Sequence, residues 1–324
     1  MNDTAVALPD GFVWRQRPFP DANFLLLTGD APALVDSGFV AGARSTVALA
    51  HEHCRQVAWV VNTHWHSDHV GGNALLQAHG TGVIGSREDA DALDRGSPGC
   101  CVAEYLDQPV PRYTVDRRVG DGDRLPLGNT QWTVLAVPGH TPGHLALWNA
   151  DHRILVAGDT LSSYDVGWVN IMREGTGALD RALTSLLRLR DLDARLILPG
   201  HGPIITDPAT ALDKAVDRIR RQRADLDLAV GYGARRILAF ALMIRGGMRI
   251  VDLDEYLTDR GWTHDAAELL GITVEEFIRS LVDGMVASGA LTVTNGTVRA
   301  ATEALPADPR VFDLPFPRHW PARR

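Results

Sequence analysis

Short apolar runs, many of them β-branched, recur through the first two thirds of the chain, and each stops at a polar or glycine-containing turn. Phe12–Arg15, Asn23–Leu27 and Ala33–Val35 read as strands, with Gly29-Asp30 marking a hairpin-type turn. Val57–Val61 then begins an alternation of strand and helix, followed by strands at Gly82–Ile84, Arg124–Leu127, Gln131–Val137, Leu145–Trp148, Ile154–Ala157 and Leu196–Leu198. Helical periodicity falls on Ala41–His53, Asn73–Ala78, Ser86–Leu93 and Ala178–Leu189, with Ser86 as a cap and Asp89 at the capping-box position. Residues 95–115, with Gly, Pro and two adjacent cysteines, show little periodicity and predict a loop excursion.

After Gly202 the pattern becomes helical. Ala209–Leu228, Arg235–Ile244, Val251–Arg260 and Thr273–Ser288 predict four helices, the last opened by a Thr273/Glu276 capping box. Leu291–Thr294 and Thr297–Ala300 flank Asn295-Gly296, a strong hairpin signal. Three helices and a hairpin are the order of a winged-helix-like unit. Leu305–Arg324 is Pro-rich, with Phe312, Phe316 and Trp320, and predicts an extended tail over a surface. The division expected is therefore 1–206, 207–304 and 305–324.

Composition narrows the classes. With 324 residues, one large domain and a smaller one are expected. A formal net charge of -8 argues against a nucleic-acid surface covering the whole protein. The helix Thr273–Ser288, which would have to read a duplex, sets Arg279 against Glu275, Glu276 and Asp283. Cys54, Cys100 and Cys101 make no disulfide framework and suit a reducing compartment. No run is long enough for a membrane span, and Met1–Asp10 carries no export signal, so a cytoplasmic protein is expected.

The chemistry sits where strands stop. Val57–Val61 runs into Asn62-Thr63-His64-Trp65-His66-Ser67-Asp68-His69, three imidazoles and a carboxylate within six residues, and Gly71-Gly72 permits close backbone approach beyond them. His140, Asp159 and His201 each follow a later strand within a few residues. Neutral imidazole and carboxylate are ligands that zinc, iron and manganese accept. Seven such groups suit two cations with one carboxylate between them. Two divalent cations about 3.5–4 Å apart make hydroxide available near neutral pH and stabilise an oxyanion.

At these residues the chain resembles the metallo-β-lactamase fold superfamily of binuclear metallohydrolases. The resemblance rests on Thr63-His64-Trp65-His66-Ser67-Asp68-His69, Pro138-Gly139-His140-Thr141-Pro142-Gly143-His144, Gly158-Asp159-Thr160 and Pro199-Gly200-His201-Gly202, in the family's order, over roughly residues 10 to 205. It implies an α/β fold, an αββα sandwich of two mixed sheets flanked by helices. It also implies that His64, His66 and His140 hold one metal, that Asp68, His69 and His201 hold a second, and that Asp159 bridges them. Asp68 would also accept a hydrogen bond from the nucleophile. His144 would orient a ligand or meet developing charge.

The function expected is hydrolysis of a small-molecule thioester, ester or lactone by a hydroxide on two Zn2+, with Fe or Mn as other possible metals. The alternatives are a phosphodiesterase or endoribonuclease of the same fold and an iron-dependent oxygenase-type relative. A homodimer is compatible with either. His51, His53, His79, His152, His264 and His319 are read as structural. Asp36 is expected to support the metal loop by hydrogen bonding, and Arg173 to be a solvated surface residue. Tyr164, Trp168 and Asn170 are candidates for the pocket wall, although Trp168 equally suits packing under a helix.

Overall fold

The computed structural model describes residues 6–97 and 99–319. Met1–Ala5 and Trp320, which figured in the expectations for the two ends, lie outside the described residues. Six strands form the first sheet in sequence order: β1 (Phe12–Arg15), β2 (Phe24–Leu27), β3 (Ala33–Val35), β4 (Trp59–Val61), β5 (Gly82–Ser86) and β6 (Arg117–Val119). The first three are antiparallel and the rest parallel. The second sheet contains β7 (Arg124–Leu127), β8 (Thr130–Ala136), β9 (Leu145–Asn149), β10 (Ile154–Gly158) and β11 (Leu196–Pro199), in the order β11-β10-β9-β8-β7. Only β10 and β11 pair in parallel there.

Strand alternation assigns the layers. Leu25 and Leu27 meet Leu145, Leu147, Ile154 and Val156 between the sheets, while Phe24 and Leu26 turn outward to Val47, Ala50 and Leu76. Those last three belong to α1 (Ala43–His51) and α3 (Asn73–Ala78), which follows a single turn, α2 (Ser67–Val70). Every residue of β2 is buried because both faces of its sheet are covered. On the far side Leu155 and Ile197 face α7 (Gly177–Arg190) and α8 (Pro208–Ala224). This is the αββα sandwich that the resemblance implied.

Beyond α8 come α9 (Leu226–Arg245), α10 (Ile250–Thr258), α11 (Gly261–Leu270) and α12 (Val274–Ala287). The hairpin β13 (Leu291–Thr294) and β14 (Thr297–Ala300) adds β12 (Met248–Arg249) as a third strand. The expected Thr273/Glu276 capping box is present on α12. One apolar cluster runs from Val102, between β5 and β6, to Val298 in β14, so the C-terminal helices share their core with the outer face of the second sheet.

Some elements differ from expectation. The helix predicted over Ala209–Leu228 breaks at Asp225, whose extended backbone ends α8 and whose carboxylate accepts the Leu228 N–H to cap α9. The segment 95–115 contains a short helix, α5 (Ala103–Leu106), and buries both Cys100 and Cys101. The tail is not uniformly extended, because 3-10 turns occupy Pro309–Asp313 and Pro317–His319.

Ser86 caps α4 (Arg87–Arg95) by accepting the Asp89 N–H at 3.0 Å. The Asp89 carboxyl is buried, and burial, with a smaller contribution from Glu88, pushes its pKa up to about 8. Folded Asp89 thus keeps a proton that the unfolded chain loses near 3.8. The stability from this group is complete below that lower value and is lost as pH rises through about 8. Asp89→Asn should flatten the dependence of the urea midpoint on pH across this range; a profile parallel to wild type would contradict the assignment.

Candidate metal centre

Strands that stop at one edge deliver the chemistry. His64 and His66 follow β4, and Asp68 and His69 lie in α2. His140 follows β8, Asp159 follows β10 and His201 follows β11. All seven converge. The ligand atoms of His64, His66 and His140 lie within 4.8 Å of one another, as do those of Asp68, His69 and His201, and those of His64, His69 and Asp159. Asp159 stands between the two halves, with its oxygens 3.3 Å from His69 Nε2, 3.7 Å from His201 Nε2 and 3.8 Å from His140 Nε2. His201 Nε2 is 3.0 Å from Asp68 Oδ2.

Hydrogen bonds on the outer nitrogens fix how the rings face. His140 donates Nδ1–H to the Trp168 carbonyl at 2.6 Å, and His69 donates Nδ1–H to Asp36 Oδ2 at 2.8 Å. Thr63 gives its own hydroxyl proton to Asp36 Oδ2, so its oxygen accepts from His64 Nδ1 at 3.0 Å. Each ring is left with a bare Nε2 pointing inward. Asp36 therefore supports the metal loop and does not join the cluster. It also accepts the Thr63 N–H at 2.8 Å.

The donor set fits a cation. His140 Nε2 lies 3.2 Å from His64 Nε2 and 2.9 Å from His66 Nδ1, three nitrogens with lone pairs turned on one point. Burial holds His64 and His66 well below the ordinary histidine range and lowers His140 as well, which favours the neutral imidazole that a cation accepts as a ligand. For His69, burial alone would lower the pKa, but Asp159, Asp36 and Asp68 outweigh it and raise the value well above the ordinary one. Its buried Nε2 nevertheless has no hydrogen-bond partner. The same carboxylates that favour a positive charge on His69 would favour a divalent cation beside it.

His144 lies behind this group. The Asp159 N–H donates to His144 Nε2 at 3.1 Å, and the ring stacks on His64 with centroids 4.8 Å apart. It is 1% exposed, as buried as His64 itself. The turns are equally tight. Gly158 adopts φ +50, and a Cβ there would lie 2.8 Å from His144 Cε1 and Thr63 Cβ. At Gly71 a Cβ would fall 2.6 Å from the Phe39 carbonyl carbon, which is the close approach the sequence suggested.

The rim holds residues the sequence did not single out. Phe19 stacks on His201 at 4.7 Å and 12°, and Asn23 donates to the Pro199 and Gly202 carbonyls at 3.0 and 2.8 Å, fixing the His201 turn. Neither carried a motif. Trp168 stacks parallel to His66, with centroids 5.8 Å apart, and Tyr164 is exposed beside Gly202. Asn170 is buried and caps α6 (Ile171–Glu174), so it is no pocket residue. Arg173 is exposed, as expected of a surface arginine, with its guanidinium 5.4 Å from the centre of the Tyr105 ring. The remaining histidines stay apart: His51 packs on His79, His152 on Phe12, and His264 bonds the Thr258 carbonyl. His53 and His319 belong to none of the ligand groups found among the described residues.

Comparison with known proteins agrees with this geometry. A sequence profile described as the metallo-beta-lactamase superfamily matches residues 18–201. A beta-lactamase-like protein 2 homolog from Caenorhabditis elegans is 30% identical over 62% of this chain and 62% of its own length. A hydroxyacylglutathione hydrolase from Rhodospirillum rubrum is 32% identical over 61% of this chain and 70% of its own. The chain thus spans 62% and 70% of the length of these two curated relatives. The crystal structure of a metallo-beta-lactamase family protein from Thermus thermophilus superposes with a TM-score of 0.55 at 25% identity, covering 91% of this chain and 100% of that one. With the matched profile spanning more than half of the sequence and every one of its strand-end ligand groups gathered at one edge, the chain belongs to the metallo-β-lactamase superfamily.

Proposed function

We propose that the chain is a dinuclear zinc hydrolase of small acyl compounds, thioesters foremost, working in the cytoplasm. Its residues 1–206 would supply the metal centre and 207–304 an outer wall. The observation that carries the reading is the set of three inward imidazole nitrogens about His140 Nε2, 3.2 and 2.9 Å from its neighbours. His64 Nε2, His66 Nδ1 and His140 Nε2 would hold one cation, and Asp68, His69 Nε2 and His201 Nε2 the other, with Asp159 shared. When bound, the pair supplies a water made nucleophilic near neutral pH and polarises the acyl carbonyl. Asp68, 3.0 Å from His201 Nε2, would accept a proton from the attacking water. Trp168 and Phe19, stacked on His66 and His201, limit bulk water and offer flat apolar faces to an acyl chain.

The name of the Rhodospirillum relative, a hydrolase of hydroxyacylglutathione, supports an acyl–sulfur substrate. Free Cys54, Cys100 and Cys101 support a reducing compartment, and no helix among the described residues is long and apolar enough to cross a membrane. The test is elemental analysis together with a panel of thioesters, esters and lactones. About two zincs per chain are expected, with thioester turnover lost to a chelator and restored by zinc. One iron per chain, or fully loaded protein inert towards the whole panel, would overturn the proposal.

A further inference from the structure

The connection from β10 to α6, residues 159–170, leaves the second sheet at Asp159 and doubles back. A Leu161–Val166 bridge closes it, with Ser162 N–H to the Asp165 carbonyl at 2.7 Å and Gly167 N–H to the Thr160 carbonyl at 3.2 Å. On its return it presents the Trp168 carbonyl that accepts His140 Nδ1–H. That single bond decides which His140 nitrogen faces the cluster. The return strand is anchored from the C-terminal helices. Tyr232 on α9, 8% exposed, donates its hydroxyl to the Val166 carbonyl at 2.7 Å, two residues before Trp168. One helical turn further on, Arg236 lies 3.4 Å above the Tyr232 ring and reaches Asp165 Oδ2 at 3.4 Å. Arg218 on α8 takes Asp165 Oδ1 at 3.1 Å.

We infer that Tyr232, Arg236, Arg218 and Asp165 form a positioning network through which the C-terminal helices hold the Trp168 carbonyl, and with it the His140 ring, in its cation-binding orientation. The inference rests on the reading of His140 as a ligand. It gives α8 and α9, which lie outside the matched profile of residues 18–201, a part in the metal centre that the ligand list does not contain. An ion pair that merely stapled a loop would add a little stability and leave the site alone. A partner that orients a ligand ring acts on metal affinity, by about 10- to 100-fold in comparable cases.

Tyr232→Phe removes one hydroxyl and keeps the ring beneath Arg236; Asp165→Asn removes the charge and keeps the shape. Zinc affinity at each site, read by competition with a chromophoric chelator, and the cobalt(II) absorption spectrum separate the site holding His140 from the other. The melting temperature of the metal-free protein reports structure alone. Both variants should weaken the His140 site about 10-fold, leave the other within about twofold, and melt like wild type when metal-free. Arg223→Gln, which breaks the exposed pair with Asp180 on α7, should change neither site. Equal weakening of both sites, no weakening, or a loss that merely tracks a lower metal-free melting temperature would overturn the network. Should Tyr232→Phe fail to fold, Asp165→Asn decides by the same criteria. A wild-type chain that takes up no cation overturns the metal reading itself, and this inference with it, whereas a loaded wild type with unaffected variants overturns only the network.

Discussion

Asp159→Ala is expected to cut acyl-hydrolase turnover by at least about 10³-fold, equivalent to roughly 4 kcal/mol of lost barrier lowering, and to leave fewer than two cations per chain. The reason is charge. Two unit charges 4 Å apart repel by about 4 kcal/mol at the effective dielectric typical of protein sites, and two divalent cations by roughly four times that. A carboxylate between them is what makes double occupancy affordable. Asp159 is placed for it, within 3.3–3.8 Å of nitrogens on His69, His201 and His140. Burial would raise its pKa, but His201, His69 and His140 outweigh that and hold the carboxyl well below the usual carboxylate range. Asp159→Asn, which keeps the shape, should lose nearly as much. The check is kcat/KM beside zinc content for both variants; wild-type turnover in either would remove Asp159 from the centre.

The largest effect on stability is expected at Asp36. This buried carboxylate accepts three hydrogen bonds, from the Thr63 N–H, the Thr63 hydroxyl and His69 Nδ1, each 2.8 Å long. Asp36→Ala strands a buried backbone donor and an imidazole at once, which should cost about 3–5 kcal/mol. Asp36 also sits at φ +57, a conformation that Asn tolerates far better than Ala, so Asp36→Asn should lose distinctly less. Urea denaturation of the metal-free proteins measures both. A loss below about 1 kcal/mol for the alanine variant would mean the bonds are replaced by others.

How much of this was legible beforehand depends on what each segment tells its neighbours. The buried strands announce themselves, since β2, β10 and β11 are covered on both faces and read as unbroken apolar runs. The candidate ligands were legible for a related reason: a polar imidazole directly after such a run has no ordinary use in a core. β6 was not, because Arg117 and Arg118 are exposed and only Val119 turns inward at the edge of its sheet. α9 runs longer than the predicted Arg235–Ile244, because residues such as Val230, Tyr232 and Ala234 ahead of that stretch are buried too and tertiary packing overrides the low propensity of Gly231 and Gly233. α11 lacks a side-chain cap, and its signal, Trp262 with Ala266 and Ala267, is short. Tyr232 and Asp165 lie far apart in sequence, so only the folded chain shows that one anchors the loop of the other.

His64, His66, Asp68 and His69 hang from the first sheet, and His140, Asp159 and His201 from the second. An ion seated among them is therefore a rivet through the seam of the sandwich. The same seam carries backbone stitches, Asn23 N–H to the Gly200 carbonyl at 2.6 Å and Leu145 N–H to the Thr63 carbonyl at 2.7 Å. Stripping the ion with a chelator would leave those stitches and the oily filling as what holds this margin shut.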